Sequence, residues 1–513
     1  MFMKRWAAVL MCLCVLLGSI AAMTGCQTQG GETSGSDTPG AEAETGQPTP
    51  TDDPYADDVP ADVRFDGTQI RIITNSQGQR SIALLEDDNH DDIVNAAVYE
   101  RNLNVESRLG VGIRIVKSLS WDQGLQATIT DSLYTASDDY DVIVGYGCVN
   151  ISLAAEGLLR DLNTELPHVD LSKPYWGGQA TENLSYLNKY YWATGDITHE
   201  YINNAYIALI SKTVWNNMIA PSENKTIYDV VRAQDWTIDT LKKYVEMSNV
   251  DLNGDQKIDL KDQFGLSCQI GHPVNGLIYS MGSSFGSRDD DGNIRIAVDS
   301  PKTVEIYAKL YSLLFETEGV NAHPASWEGD SGAFGCFTDN RTLVLLFNMN
   351  VVFNQTFRDM EPTDAYAIVP MPKYDETQTE YITTLGNGVS IIGVPVTVPD
   401  DRCAAVGATL ELMSSEGYRV VYPAFYEKAM KYKYSRDDSS AEMLDLIRKN
   451  VVMDFVYMWS QAIGNPSIYD FYIGALRDGK QEISSKLAAN IEQYQNSLRR
   501  DVLEKYEKNI SGQ

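Results

Sequence analysis

An acidic stretch between residues 251 and 262 carries the residue types and spacing that could hold a divalent cation. Calcium takes about six to eight oxygen ligands, and an EF-hand loop supplies them from positions 1, 3, 5, 7, 9 and 12. Position 6 is Gln256 instead of glycine, and an aspartate replaces the usual glutamate at position 12, which weakens chelation. The pattern predicts a structural calcium site, and a solvated turn held by Asx hydrogen bonds is the alternative. The six predicted ligands are Asp251, Asn253, Asp255, Lys257 (through its backbone carbonyl), Asp259 and Asp262.

Two catalytic motifs occur in fragments, and neither has the context that its chemistry requires. Gly282-Ser-Ser284-Phe-Gly286 matches the G-x-S-x-G string of serine hydrolases, but a turn rich in Asp and Gly follows it instead of a helix. His199-Glu200 begins a zinc-protease pattern, and Asn203 stands where the second histidine must be. Paired carboxylates cannot be singled out among 71 acidic residues. We therefore expect a protein that is not an enzyme.

Composition narrows the class of protein further. The 513 residues carry 41 Lys and Arg against 71 Asp and Glu, a net charge of −30, so no nucleic-acid partner is expected. A hydrophobic content of 43% with 22% charged residues indicates a globular chain, long enough for two or three domains. The seven cysteines include no C-x-x-C pair, which favours buried thiols over a disulfide framework.

The N-terminus has the features of a secretory signal. Lys4 and Arg5 precede an apolar run that ends at Ala22, and Met23-Thr-Gly-Cys26 resembles a bacterial lipobox. We expect a signal peptide over 1–25 and acylation of Cys26, which would hold the chain by a lipid anchor on the outer face of the cell membrane. An uncleaved N-terminal anchor is the alternative. Residues 26–66, rich in small, polar and acidic residues, are predicted to form a flexible linker.

Beyond the linker, strand and helix patterns alternate. Strand patterns over 69–74, 111–116 and 140–145 enclose helical periodicity over 91–109 and 123–134. This order predicts an α/β fold with a wound parallel sheet, in which ligands bind beyond the carboxyl ends of the strands. Asn75, Ser76 and Tyr146 stand at those ends and are candidate ligand-binding residues.

Seven short segments of the body, each occurring once, follow one another in a characteristic order. They are Tyr140-Asp-Val-Ile-Val144, Leu158-Leu-Arg-Asp-Leu162, Lys189-Tyr-Tyr-Trp-Ala-Thr-Gly-Asp196, Asp235-Trp-Thr-Ile-Asp239, Asp251-Leu-Asn-Gly-Asp255, Ala367-Ile-Val-Pro-Met-Pro-Lys373 and Leu412-Met-Ser-Ser-Glu-Gly-Tyr418. Together they resemble the extracellular solute-binding proteins of bacterial ABC importers, in the carbohydrate-type group that includes maltose-binding protein. The segment from Ala424 to Ser460 is longer than in maltose-type proteins.

The resemblance implies a two-lobe, periplasmic-binding-protein-like fold of type II, with a ligand cleft between lobes joined by hinge crossings. It places the first lobe at 67–195 and 388–432, and the second at 198–384 and 436–510. The chain would cross between them near 194–199, 384–388 and 433–437. Gly386-Asn387-Gly388 suits a hinge because glycine tolerates the backbone angles that closure changes.

The resemblance also implies a carbohydrate ligand, which aromatic rings and planar polar groups would hold. Candidate contacts beyond the strand ends are Trp176, Trp327, Asp196, Asn348 and Asn387. For the tryptophans, core packing is the alternative, and Asp196 has a helix cap or turn as its alternative. The expected protein is a monomer that captures an oligosaccharide by lobe closure and delivers it to an ABC permease. An extracellular carbohydrate hydrolase and a ligand sensor on the same fold are the other hypotheses.

Overall fold

The computed structural model describes residues 53–76, 79–83, 92–120, 122–323, 333–358, 360, 366–431 and 438–512. The chain divides into two units, Met1–Asp52 and Asp53–Gln513, of which only the second contains described residues. The predicted signal peptide, Cys26 and Trp327 lie outside the described residues, as does the predicted crossing at 433–437.

The described body contains both strands and helices. The strands are β1 Gln69–Asn75, β2 Gly112–Leu119, β3 Val142–Tyr146, β4 Tyr206–Ser211, β5 Phe264–Gln269, β6 Gly286–Arg288, β7 Ile294–Ile296, β8 Val320–His323, β9 Thr342–Asn348, β10 Tyr366–Pro370, β11 Thr383–Thr384, β12 Ser390–Gly393 and β13 Val451–Val452. The helices are α1 Gln79–Ile82, α2 Ile93–Leu109, α3 Asp122–Tyr134, α4 Gly147–Asn150, α5 Ser152–Ala155, α6 Gln179–Leu184, α7 Glu200–Asn203, α8 Lys212–Val214, α9 Ala220–Glu223, α10 Ile227–Arg232, α11 Ile238–Met247, α12 His272–Ser280, α13 Pro301–Tyr311, α14 Ala333–Thr338, α15 Gln355–Arg358, α16 Asp400–Glu416, α17 Tyr422–Lys431, α18 Asp438–Lys449, α19 Phe455–Met458, α20 Asp470–Arg477, α21 Ser484–Ser497 and α22 Glu504–Ser511. Short 3-10 turns lie at Pro174–Trp176 and Met349–Phe353, and π-helical turns at Trp215–Ile219, Ser312–Glu316, Gly417–Val421 and Leu498–Leu503.

The first sheet has the strand order β12-β3-β1-β2, and β1 pairs in parallel with both β2 and β3. The predicted strand-helix alternation of this region is confirmed. Helix α2 begins because the side chain of Asp92 caps the amides of Val94 and Asn95, and it ends at Gly110 in the left-handed conformation. Strand β3 is almost wholly buried, as its continuous apolar sequence predicts for the centre of a covered sheet.

The second sheet has the order β10-β4-β9-β5-β8. Two of its three inner strands, β4 and β9, are buried at every residue and pair antiparallel, with Tyr206 opposite Asn348. Because β5, β8 and β9 run parallel, their carboxyl ends lie at the same edge as the start of β4. The groups at that edge are therefore brought together by the sheet itself.

The chain passes from the first sheet to the second between Tyr146 and Tyr206, and returns between Pro370 and Ser390. The two passing segments pair with each other at Ala205 and Leu385. Strand β11 also pairs in parallel with β13, which adds a later segment beside these two. The lobes are thus connected by segments that hydrogen-bond to one another.

Two of the predicted segments make contacts that their assignment did not include. Residues 53–66, assigned to the flexible linker, lie against the body because Asp57 pairs with Arg108 and Val59 is buried. The stretch 436–510, assigned to the second lobe alone, also contacts the segment after β3: in this stretch Glu507 accepts a hydrogen bond from Tyr186 at 2.9 Å.

Two further features concern the described residues alone. None of their helices combines the length and the apolar character that crossing a bilayer requires. The four cysteines among them, Cys148, Cys268, Cys336 and Cys403, are buried free thiols, as the sequence predicts.

Candidate ligand-binding site

The carboxyl end of β3 meets the returning segment directly. The amides of Gly147 and Cys148 donate to the carbonyls of Val389 and Asn387 at 3.0 and 2.9 Å. A Cβ atom at Gly388 would lie 2.0 Å from the ring of Tyr146, so only glycine lets that ring cover the segment. The glycine is therefore explained by close packing, and its φ lies outside the left-handed region, while the predicted hinge role of 386–388 stays a prediction.

Tyr146 forms part of a group of aromatic and amide side chains that we call the junction cluster, which also contains Tyr206, Asn275, Tyr457 and Tyr469. The rings of Tyr457 and Tyr469 stack with centroids 6.1 Å apart, and Tyr206 packs on α12 at Gly276. Burial raises the pKa of Tyr206 well above its ordinary value, and the nearby Tyr457, Tyr469 and Tyr146 raise it further. The hydroxyl of Tyr206 therefore stays protonated and can donate a hydrogen bond.

Two members of the junction cluster carry buried polar atoms that make no well-aligned hydrogen bond, namely both amide atoms of Asn275 and the hydroxyl of Tyr457. The Tyr457 hydroxyl nevertheless lies within reach of Asn275, of Tyr206 and of the backbone of Asn387. An unpaired buried polar group costs roughly 1–3 kcal/mol. These atoms are thus placed where a hydroxyl-bearing ligand or water would lower the free energy.

His272 and Tyr469 form the more accessible edge of the cluster. The Tyr469 hydroxyl and His272 Nδ1 are hydrogen-bonded, and both side chains are half-buried. Burial, followed by the charge of Arg477, lowers the pKa of His272 to about 4. His272 is therefore neutral near pH 7, so this edge offers hydrogen bonds without adding a positive charge.

A cavity of about 400 Å³ lies at the end of β9. Phe353 in its wall contacts Phe425 of α17, with ring centroids 4.9 Å apart, so the cavity lies where helices from the two sides of the hinge meet. Flat rings and amides are the groups that recognise the apolar faces and hydroxyls of small polar molecules. Its lining consists of phenylalanine, valine and asparagine side chains: Phe334, Phe347, Phe353, Val351, Asn203, Asn350 and Asn354.

The structure brings several sequence-predicted residues to this region. Tyr146 belongs to the junction cluster, and buried Asn387 borders it through the backbone. Asn348 ends β9 opposite Tyr206, with its buried Oδ1 unpartnered. Asn75 is buried at the end of β1, whereas Ser76 is exposed and donates from Oγ to the Ser120 carbonyl.

Two other predicted contacts have structural roles. Trp176 is completely buried, and its Nε1 donates to Glu411 at 2.8 Å, so in this structure the tryptophan has the core-packing role that was the alternative to stacking on a ligand. The carboxylate of Asp196 forms a buried ion pair with Arg448. Burial outweighs the attraction of that guanidinium and raises the pKa of Asp196 to about 6.

The carboxylates of the acidic loop are engaged by the loop's own backbone. Asp251 accepts from the amides of Gly254 and Gln256, and Asp262 accepts from those of Leu252 and Asp259. Among the described residues, no group of three or more His, Cys, Asp and Glu side chains is placed to hold a metal ion. In this arrangement the loop has the geometry of the Asx-turn alternative.

Sequence reasoning did not identify Tyr206, His272, Asn275, Tyr457 and Tyr469. His272 and Asn275 follow β5, which was not predicted as a strand, so the strand-end rule had no starting point there. Tyr457 and Tyr469 come from the C-terminal part of the chain, in and just before short helices. The hydrophobic pattern there does not indicate which tyrosines lie near the hinge.

Comparison with solved structures relates this arrangement to known proteins. A cyclo/maltodextrin-binding protein complexed with maltotetraose is similar with a TM-score of 0.54 at 12% identity, covering 84% of this chain and 97% of that chain. UspC of M. tuberculosis gives a TM-score of 0.53 at 13% identity, covering 83% and 100%. The GacH receptor of Streptomyces glaucescens, solved unliganded and with acarbose, gives 0.51 at 14% identity, covering 84% and 99%.

The chain has the two-lobe fold of ABC solute-binding proteins. The predicted fold class is therefore confirmed, with the two sheets corresponding to the cores of its lobes. No protein-family model matches the sequence. No curated protein sequence matches it either. In this solute-binding fold, the junction cluster and the cavity at β9 lie at the lobe boundary.

Proposed function

We propose that this protein is an extracellular solute-binding protein that captures a carbohydrate between its lobes and passes it to an ABC importer. The observation that carries the proposal is the junction cluster, in which aromatic rings from both lobes meet at the hinge beside the buried amide of Asn275 and the hydroxyl of Tyr457. The solved neighbours support the ligand class, since one is complexed with maltotetraose and another with acarbose.

Lobe closure would follow because the groups of this site come from both lobes. Tyr146 ends β3 of the first sheet, whereas Tyr206 begins β4 of the second sheet and His272 begins α12, which follows β5. A ligand that bonds to both sides binds the closed form better than the open form, and therefore shifts the equilibrium toward closure. An importer can then distinguish the loaded protein by its closed shape.

The cavity at β9 suits part of the same ligand. Phenylalanine rings can cover the apolar face of a sugar ring, while the amides of Asn203, Asn350 and Asn354 can bond to its hydroxyls. A volume of about 400 Å³ suits a sugar unit better than a long chain. The chemistry is that of binding and requires no reacting residue.

We also propose that Cys26 carries a lipid anchor and holds the protein at the outer face of the membrane. A lipobox-like sequence supports this, and an acyl chain contributes roughly 0.8 kcal/mol per buried methylene. Treating cells with globomycin, which blocks lipoprotein signal peptidase, should leave the signal peptide attached. A C26A variant should carry no acyl chain, which metabolic labelling with a fatty acid would show.

Calorimetric titration of the full chain with maltotetraose, ribitol and a tripeptide tests the ligand class. We expect maltotetraose to bind. F353A should lower the affinity for maltotetraose about tenfold, because a ring that covers the ligand is lost. F315A, which removes an exposed phenylalanine elsewhere, is the matched control. Binding of the tripeptide alone would contradict a carbohydrate ligand, and sustained release of shorter sugars would indicate a hydrolase.

A further inference from the structure

The segment Asp53–Val59, which we call the arm, is fixed to the body where the chain emerges from residues 1–52. The ring of Tyr55 stacks on that of Tyr418, with centroids 3.5 Å apart and planes inclined by 7°. Its carbonyl accepts a hydrogen bond from Ser415 Oγ at 2.8 Å. Both partners lie at the end of α16 or in the turn that follows it, so the arm is tied to the first lobe there.

The second half of the arm is held by charge. The carboxylate of Asp57 accepts two hydrogen bonds from Arg108 of α2, each 2.9 Å long, and its side chain is only 5% exposed. Asp58 pairs with Lys173 at 2.7 Å. The arm is therefore attached along its length, although its acidic and small residues predict a flexible stalk.

Arg448, a residue of the second lobe, lies beside the arm and the turn at Tyr418. It lies near the end of α18, a helix that packs on β10 and is tied to α10 by the ion pair of Glu442 with Arg232 at 2.6 Å. Its guanidinium carries a positive charge, and the side chain is only 10% exposed. A buried cation needs partners, and the first lobe and the arm provide them.

Among the described residues, this guanidinium contacts groups from three parts of the chain. Asp196, on the segment that passes between the lobes, forms the ion pair with it. The rings of Tyr422, Tyr418 and Tyr55 lie 4.8, 5.0 and 5.9 Å from its central carbon. One side chain of the second lobe thus contacts the crossing segment, the first lobe and the arm together.

We infer that Arg448 is a positioning residue for lobe closure and that the arm is a strap which completes its site. A rigid-body lobe motion changes the position of α18 relative to the turn at Tyr418, while the guanidinium keeps its ion pair and ring contacts at one relative position only. Loss of the Tyr55 ring would admit water to the ion pair and weaken it. The segment leading to the membrane tether therefore sets how readily the lobes move.

Hydrogen–deuterium exchange on the full chain tests this inference without a ligand. Y55A should speed exchange in residues 194–205 and in the last turn of α18, while exchange in β5 and β9 stays unchanged. R448K should do the same, because lysine keeps the charge but loses the planar group that lies over the rings. Y55F should behave like the parent chain, since it retains the stacked ring.

Y134A is the matched control, because Tyr134 is an exposed tyrosine far from the arm in sequence. Exchange in Y55A that equals exchange in Y134A would overturn the strap. Faster exchange throughout, with β5 and β9 included, would also overturn it, because that pattern means general destabilisation. Deleting 53–58 removes the arm, whereas deleting 38–43 shortens the chain by the same length and keeps the arm. Comparing the two variants separates the effect of losing the arm from the effect of a shorter tether.

A second readout rests on the proposed function. Maltotetraose affinity should fall roughly fivefold in Y55A and stay unchanged in Y55F, as expected when a cation–π contact in a partly buried site is lost. An unchanged affinity in Y55A would overturn the link between the arm and capture. If maltotetraose binds no variant, including the parent, the proposed ligand fails while the exchange experiment still decides on the strap.

Discussion

The carboxylate of Glu411 accepts a hydrogen bond from the indole Nε1 of Trp176 at 2.8 Å, in the core of the first lobe. The Tyr175 hydroxyl and the Asp170 amide donate to the same carboxylate. No cation accompanies these donors as a salt-bridge partner of Glu411 among the described residues. Burial therefore dominates, and it raises the pKa of Glu411 to about 7.

This pairing predicts how stability depends on pH. Since the folded-state pKa of Glu411 lies above its ordinary value of 4.5, its contribution is greatest below pH 4.5 and is lost as the pH rises to about 7. The variant E411Q is always neutral, so its free energy of unfolding relative to the parent should rise by roughly 3 kcal/mol between pH 5 and 8. Urea denaturation at several pH values measures this difference. E376Q, at an exposed glutamate, is the matched control.

Arg101 predicts a large stability effect, because among the described residues its side chain bonds only to oxygens of uncharged groups. Its completely buried guanidinium donates to the carbonyls of Ile197, Ser81 and Ile82, and burial lowers its pKa to about 9. R101M leaves those carbonyls unpaired, so we expect a loss of about 3 kcal/mol or more in the free energy of unfolding. R114M, at an exposed arginine, should change it by less than about 0.5 kcal/mol. Equal effects of the two variants would contradict this role of Arg101.

The neutral edge of the junction cluster predicts that His272 contributes nothing to any change of binding with pH. With its pKa lowered to about 4, His272 does not titrate between pH 5.5 and 8, whereas Asp196, with a pKa of about 6, does. Sugar affinity in H272N should therefore change with pH as it does in the parent, and calorimetric titration of both proteins at four pH values measures this. A drop in affinity centred near pH 6.5 that the parent shows and H272N lacks would mean that His272 gains a proton in the open form and that the site is more hydrated than in this structure.

Local patterns were enough to predict the wound first sheet. The apolar run of β3 and the periodicity of α2 are properties of contiguous residues, and each also fits the tertiary structure. The likeness of short ordered segments to a known family supplied the two-lobe arrangement. Both kinds of signal are carried by the sequence itself.

The site residues are harder to predict because they depend on contacts between distant segments. Trp176 is separated from Glu411 by more than two hundred residues, so nothing near it in sequence shows that its indole is already bonded. Likewise, Tyr206 and Tyr457 meet only after two passes of the chain between the sheets. Residue type alone suggested which side chains contact a sugar. The hydrogen-bond and packing partners that decide the role of each side chain lie far away in sequence.

The acidic loop gives a prediction that concerns metal and backbone together. Gln256 occupies position 6 with a φ of 63°, in the left-handed region where glycine is favoured. Q256G should therefore stabilise the protein by about 1 kcal/mol without calcium, because the strain of the side chain is relieved.

If the loop binds calcium, as its spacing predicts, the melting temperature should also rise with added calcium and fall with chelator. D251N should abolish that response, whereas D400N, outside the loop, should retain it. Since the Asp251 carboxylate now accepts two backbone amides, calcium would have to compete with those bonds, and identical melting with calcium and with chelator would leave the loop as an Asx-bonded turn.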